Sequence, residues 1–297
     1  MKDKLLVSFS GGETSGYMLY WILNNWQDKY EIKVVFANTG EENEETLLFV
    51  ERCANLFNIE VIWVEGVFHK EHGKGTKHKI VDFKTATRDE SLFRGMVEVY
   101  GISNQANPHC NRELKLAPIK SYLRSIGWKK YYTAIGIRYD EVDRINSKRK
   151  ENRLVYPLIT DAKMTKIKVN IWWESQPFRL ELKGYQGNCK TCWKKSDKKL
   201  RRIAYESPES FNSFNILEKE FKYYIPDSRS NNKKALDSVK KHGNTFFRKH
   251  KSAQWYIENP LEAIIKDDSS NYIDQLDLFE DTESCDIFSM CGDDNND

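Results

Sequence analysis

No stretch of this chain approaches the roughly 18 consecutive apolar residues that a membrane-spanning helix needs. The start, MKDKLLVSFSGG, has only five apolar or small residues ahead of its glycines, too few for the core of about 7–15 residues in a signal peptide. Together these absences predict a cytoplasmic protein with no membrane partner. Cysteine is sparse as well, at six in 297 residues. In a reducing compartment six such residues serve as metal ligands, redox groups or core packing rather than structural disulfides. There is no internal repeat, so the chain is not a repeat array.

What the chain does contain is enough for a core. Hydrophobic residues make up 39% and charged residues 31%, and aromatics reach 13% with eight Trp. That composition excludes general disorder, and the length suits one large domain or two smaller ones. The net charge of +3 hides an asymmetry. Residues 190–251 hold 17 Lys/Arg against 7 Asp/Glu, a balance of +10. Residues 258–297 hold 13 acidic residues against one Lys, a balance of −12. The basic block is either a contact for nucleic acid or another polyanion, or a solvated helical surface. The acidic end predicts a mobile tail.

The first half alternates strand-like and helix-like segments. Strands are predicted over 4–10, 31–38, 59–64 and 130–136, and helices over 15–27, 44–58, 89–100 and 111–126. Within 44–58 the apolar positions Leu47, Val50, Ala54 and Phe57 have helical spacing, with Cys53 beside that face as a core residue. The polar stretch 67–88 reads as a loop over the site; its His69, His72 and His78 lack ligand spacing. Such alternation predicts an α/β fold with a mostly parallel sheet and helices on both faces. Ligands then sit at the carboxyl ends of the strands, where Ser10, Asn38 and Gly136 fall. After Ile159 the pattern turns helical and aromatic, with helices predicted over 165–174 and 197–206. The Trp172-Trp173 pair reads as packing. The predicted division is an α/β domain at 1–160, a helical basic region with the Cys189-x-x-Cys192 clip at 161–255 and the acidic tail at 256–297.

The segment LLVSF reads as a buried strand, and Gly16 to Leu23 as a helix. Between them, Ser10-Gly11-Gly12-Glu13-Thr14-Ser15 forms a strand-to-helix turn that presents free N–H groups and hydroxyls to an anion. A plain structural turn is the alternative. No Gly-Lys-Ser/Thr follows, which excludes a Walker A loop.

The Ser-Gly-Gly-x-x-Ser spacing resembles the PP-loop of the adenine nucleotide α-hydrolase group, which includes the N-type ATP pyrophosphatases. Further motifs narrow the resemblance. Val35-Phe36-Ala37-Asn38-Thr39-Gly40-Glu41-Glu42 resembles a strand end that lies against the adenosine in that group. Pro108-His109-Cys110-Asn111-Arg112-Glu113-Leu114-Lys115 followed by Pro118-Ile119, and Gly136-Ile137-Arg138-Tyr139-Asp140-Glu141, resemble segments of phosphoadenosine phosphosulfate (PAPS) reductase-like proteins. Trp172-Trp173-Glu174-Ser175-Gln176-Pro177-Phe178, then Gly187-Asn188-Cys189-Lys190-Thr191-Cys192, is similar to a branch of that family common in bacteria and phages. The resemblance spans roughly residues 4–205.

It implies an adenine nucleotide α-hydrolase-like, Rossmann-like fold with a helical, cysteine-containing C-terminal extension. The implied nucleotide contacts are Ser8, Ser10, Gly11, Gly12, Thr14, Ser15, Asn38, Thr39 and Gly136. Arg112, Lys115 and Arg138 are the implied catalytic cations, neutralising phosphate charge. The ligand is ATP or an adenylyl-sulfate, with Mg²⁺ and with Asp140 and Glu141 as its candidate ligands. The Cys189-x-x-Cys192 clip is a two-ligand set for Zn²⁺ or an iron–sulfur cluster. Cys110 is its first candidate partner, with Cys285 and Cys291 a second pair and His109 a further ligand. A redox dithiol is the competing reading, and two cysteines buried in a turn the structural one.

Three functions follow. The first is an ATP-using enzyme that adenylates a substrate and releases pyrophosphate, in the service of sulfur insertion into nucleic acid. The second is an adenylyl-sulfate or PAPS reductase that uses a C-terminal cysteine. That family places its nucleophile in Glu-Cys-Gly-x-His, whereas Glu-Ser-Cys285-Asp and Met-Cys291-Gly-Asp have no following His. The third is a binding module for nucleotide or nucleic acid with a structural metal site and no turnover.

Overall fold

Leu5-Leu6-Val7 and Val34-Val35-Phe36-Ala37 are apolar without a polar alternate, the pattern of strands covered on both faces. In the computed structural model, which describes residues 2–262 except His72, they are neighbours in a six-stranded sheet. Its strands are β1 (Asp3–Ser8), β2 (Tyr30–Ala37), β3 (Val61–Val67), β4 (Lys77–Val81), β5 (Tyr132–Ala134) and β6 (Leu154–Val155), in spatial order β4-β3-β2-β1-β5-β6. All neighbours are parallel except β3 and β4. The α/β fold predicted from the sequence is the one observed.

Successive strand residues point to opposite faces, and the two cores follow that rule. Leu5, Val7, Val34 and Phe36 face one core with α1 (Glu13–Asn25) and α2 (Glu44–Leu56). Leu6, Val35 and Ala37 face the other, against Ile119, Tyr122 and Leu123 of α4 (Ala117–Ser125). Between these helices lies α3 (Ser91–Tyr100), and a π-helical segment, Cys110–Leu116, leads into α4.

The order of strands fixes where a ligand can sit. The chain runs β1, β2, β3 in one direction and then returns to place β5 on the far side of β1. The crevice between the carboxyl ends of β1 and β5 is therefore the topological switch point, where open α/β sheets bind ligands. The Ser10–Ser15 turn leaves β1 there, and Gly136 follows β5.

Three short elements follow β6: α5 (Pro157–Thr160), then α6 (Lys166–Glu174) and α7 (Asp197–Glu206). Trp173 of α6 is fully buried, and its indole N–H donates to the Glu13 carbonyl at 2.8 Å. A Cβ on Gly16 would come within 2.7 Å of the Trp173 ring, so only glycine lets α1 and α6 approach this closely. Beyond α7, α8 (Asn212–Glu220), α9 (Lys233–His242) and α10 (Ala253–Glu258) complete the described chain. Phe211, Phe214, Phe246, Phe247 and Tyr256 form a separate core there with Phe93 and Met96 of α3. Among the described residues no helix is long and apolar enough to cross a membrane.

One expectation is corrected. The stretch 67–88, read as a loop, contains β4, which pairs antiparallel with β3 from Trp63↔Val81 to Val67↔Lys77. Lys-His-Lys-Ile-Val lacks a hydrophobic face because β4 is an edge strand, and charge on an edge keeps it from pairing with other chains. His78 lies on it, with Nδ1 2.8 Å from the Ser121 hydroxyl. His72, Cys285, Cys291 and most of the acidic tail lie outside the described residues.

Candidate functional site

Three residues after β1 the backbone turns sharply at Gly11 (φ +80°) and enters α1 with Gly12 as its extended N-cap. The first N–H groups of a helix have no acceptor within it, and here they open onto a cavity of about 180 Å³. Ser10, Gly12, Thr14 and Ser15 line it, with Gly136 and Arg138 across from them. The hydroxyls fix the loop before anything binds. Ser10 Oγ donates to Ser15 Oγ at 3.0 Å, and Ser15 Oγ donates to the Gly12 carbonyl at 2.9 Å. Amides, the positive end of the helix dipole and a guanidinium thus converge on one space, an arrangement that suits phosphate.

Arg138 is buried and held from several sides. Its Nη1 donates to Thr14 Oγ1 at 3.2 Å and its Nε to Asp140 Oδ1 at 3.1 Å. Nη2 lies 3.3 Å from Glu141 Oε2, which also accepts the Arg138 backbone N–H. Glu141 pairs with Arg144 too. Asp140 and Glu141, expected as Mg²⁺ ligands, are thus turned to the arginines, and neither lines the cavity. Their observed job is to hold Arg138 in place.

The far wall comes from a distant part of the sequence. Lys166 and Asn170 of α6, Lys183 and Asn188 line it. Asn188 Nδ2 donates to the Ser10 carbonyl at 2.7 Å. A Cβ on Gly12 would lie 3.3 Å from Asn188 Oδ1, so a side chain at position 12 would press against this clamp. Glu13 also lines the cavity, and its carboxylate is held by Arg179, which donates to its two oxygens at 2.9 and 3.0 Å. The Glu206 carboxylate at 2.8 Å holds the Lys183 ammonium above its ordinary pKa. None of these four wall residues is marked as a contact by the sequence. Asn188 belongs to the Gly187-Asn188-Cys189 motif, while nothing in the pattern around Lys166, Asn170 or Lys183 signals a site.

Other predicted contacts are elsewhere. Ser8 is buried in β1 opposite Val35. Asn38 donates to Glu65 Oε1 at 2.7 Å and to the Thr87 carbonyl at 2.9 Å. Thr39 gives its N–H and its hydroxyl to the Glu42 carboxylate at 2.8 Å. Both are buried, and neither lines the cavity. Arg112 and Lys115 ride on the π-helical segment beyond β3. Arg112 pairs with Glu113 at 2.5 Å and lies over the Tyr100 ring. They too are absent from the cavity wall.

The cysteine clip is docked on the end of β2. Glu42 and Cys189 form an antiparallel bridge, flanked by Asn43 N–H to the Asn188 carbonyl at 2.9 Å and Lys190 N–H to the Glu41 carbonyl at 2.8 Å. Cys189 Sγ lies 3.6 Å from Glu42 Oε1 as donor. The buried Lys195 ammonium reaches back to the Cys189 carbonyl at 2.5 Å. Among the described residues no group of three or more His, Cys, Asp or Glu is placed to hold a metal ion. The described residues alone thus supply no complete ligand set around Cys110, Cys189 and Cys192, and the second expected pair, Cys285 and Cys291, lies outside them. Cys53 is in the core, as expected, and burial pushes its thiol pKa up.

Against known proteins, residues 4–156 match the family model of the phosphoadenosine phosphosulfate reductase domain. An uncharacterized nin region protein, ORF290, of Escherichia phage lambda is 28% identical over 95% of this chain and 94% of its own length. An uncharacterized protein of Methanocaldococcus jannaschii is 25% identical over 73% of this chain but only 48% of its own length. The chain thus spans about half of that archaeal relative.

Proposed function

The chain belongs to the phosphoadenosine phosphosulfate reductase domain family, a family with a nucleotide-binding role, and from that premise we propose that it binds ATP by its phosphates in the Ser10–Ser15 cavity. The observation that carries this reading is the convergence of the α1 N-terminus, the Ser10 and Ser15 hydroxyls and Arg138 on one cavity at the sheet's switch point. A nucleotide there exposes its α-phosphorus at the mouth. A substrate oxygen attacks it, the bond to the bridging oxygen breaks, and pyrophosphate leaves with the electron pair. The adenylated substrate is then open to a sulfur or nitrogen nucleophile.

The protein's share in this step is placement and charge. The α1 amides and Arg138 take up negative charge that grows on the phosphate oxygens as the bond breaks. Asn188 fixes the turn from outside, and the α6 wall limits where the nucleotide can lie. Mg²⁺ bound to the leaving pyrophosphate would supply Lewis-acid chemistry as part of the substrate complex. The basic surface of residues 190–251 suits a nucleic-acid acceptor.

The test is pyrophosphate release from ATP, with and without single-stranded DNA or RNA. Release that depends on Arg138 supports the reading. Thiol-dependent sulfite release from an adenylyl-sulfate would favour the reductase reading that the family's name carries.

A further inference from the structure

His109 is buried, and a guanidinium faces each of its two ring nitrogens. Arg229 Nη2 lies 2.5 Å from Nε2, and Arg112 Nη2 lies 3.5 Å from Nδ1. A neutral imidazole offers one acceptor and one N–H, so it can satisfy only one of them. Burial and the two guanidinium charges hold the ring well below its ordinary pKa, at about 3, which keeps it from adding a third charge. Arg112 has the Glu113 carboxylate beside it. Arg229 is half-buried, and among the described residues no carboxylate lies within ion-pair distance of it. Burying a cation without a counter-charge is costly, and an anion from outside the chain removes that cost.

Arg229 also borders a second cavity of about 170 Å³, away from the Ser10–Ser15 turn. Asn104, Asn107, Asn244, Thr245 and His250 share its wall, and no Asp or Glu lines it. Ala235, Ser238 and Val239 of α9 form one side. The outer surface of α9 exposes Lys233, Lys234, Lys240 and Lys241 against the single acid Asp237. At the rim Lys249 and His250 are successive left-handed residues (φ 58° and 56°), a conformation that costs free energy and persists where surrounding structure enforces it.

We propose that this cavity beneath α9 is a second phosphate-binding site, with Arg229 as its anchoring cation. A phosphate oxygen takes the Arg229 N–H groups other than the Nη2 that meets His109, and the α9 lysines attract the negative chain to which that phosphate is attached. Arg229 and α9 lie beyond residues 4–156, the part matched by the family model, while Asn104 and Asn107 of the cavity wall, and the Arg229 partner His109, lie within it. It rests on the proposed nucleic-acid contact only for the source of the phosphate. A phosphodiester strand and a free phosphate share the chemistry.

The test uses the full chain, fluorescein-labelled single-stranded dT20 followed by anisotropy, and inorganic phosphate followed by calorimetry. Arg229→Gln keeps a donor near His109 without the charge, and Ala235→Trp fills the cavity without touching any charge. The expected result is at least a tenfold weaker Kd for dT20 in both variants, with the salt slope reduced by about one in Arg229→Gln. Unchanged dT20 binding with lost phosphate binding assigns the site to a free phosphate ligand and still supports it. Equal affinity for both probes in the parent and the two variants, or no binding of either probe to the parent, overturns the proposal. ATP binding, measured on the same samples, is expected to be unchanged. A parent that binds dT20 but not ATP would sink the function proposed for the first cavity and leave this one standing.

Discussion

Asn188 reaches across 178 positions of sequence to donate its side-chain N–H to the Ser10 carbonyl at 2.7 Å. That one bond ties the cysteine-containing extension to the turn that follows β1. The same residue accepts the Asn43 N–H through its own carbonyl, so it holds both the β1 turn and the entry to α2.

Asn188→Ala should therefore loosen the turn without unfolding the chain. Removing one neutral hydrogen bond costs about 1 kcal/mol. We expect ATP affinity to fall roughly fivefold, with the melting temperature lowered by only about 2–4 °C. Calorimetric titration with ATP beside a thermal melt separates the two.

Arg138→Ala removes the buried guanidinium from the cavity and leaves Glu141 with Arg144 as its remaining pair. A charge-assisted contact of this kind is worth about 1.5–3 kcal/mol, so pyrophosphate release should fall by roughly 10- to 100-fold. Arg138→Lys should restore little, since an ammonium cannot engage Thr14, Asp140 and Glu141 at once. Full activity in the lysine variant would contradict the role given to the planar group.

The contact of Gly16 with Trp173 predicts a coupling. Trp173→Ala should cost about 3–5 kcal/mol of stability. Gly16→Ala should destabilise the parent, because its Cβ meets the ring. In the Trp173→Ala background the same change should cost markedly less, since only the Phe49 ring at 3.3 Å then meets the Cβ while alanine is favoured over glycine in a helix by about 1 kcal/mol. Urea unfolding of the four proteins reads this non-additivity.

Glu41 is buried in the loop between β2 and α2, and burial pushes its carboxyl up to about 7. The unfolded chain ionises this group near its ordinary value, and the folded chain only near 7. Between those values the folded state holds the extra proton, so stability falls as pH rises from about 4.5 to about 7 and levels off above. Burial also raises the Glu218 carboxyl to about 7, which acts with the same sign. Glu41→Gln should flatten the melting temperature between pH 5 and pH 7 relative to the parent. An identical pH profile in both would refute the assignment.

Much of this architecture is legible in the sequence, because buried parallel strands and amphipathic helices leave strong local patterns. The turn at Ser10–Ser15 and the glycine after β5 stand out for the same reason: each needs small or hydroxyl residues at a strand end. What sequence does not carry is partnership across distance. Asp140 and Glu141 read as metal ligands because nothing local says that Arg138 and Arg144 consume them. Lys166, Asn170 and Lys183 are ordinary polar residues until α6 folds back on α1. The strand at Lys77–Val81 hides because an edge exposed to solvent needs no apolar face; Ile80 on it is 56% exposed.

The most direct measurement is calorimetric titration of ATP into the parent protein and into Gly12→Asp. In the variant a carboxylate would sit between Asn188 and the incoming phosphates, where both sterics and charge oppose binding. The account predicts saturable binding to the parent and at least a hundredfold loss in the variant, with both proteins equally folded by circular dichroism. Equal ATP affinity in the two proteins would contradict it.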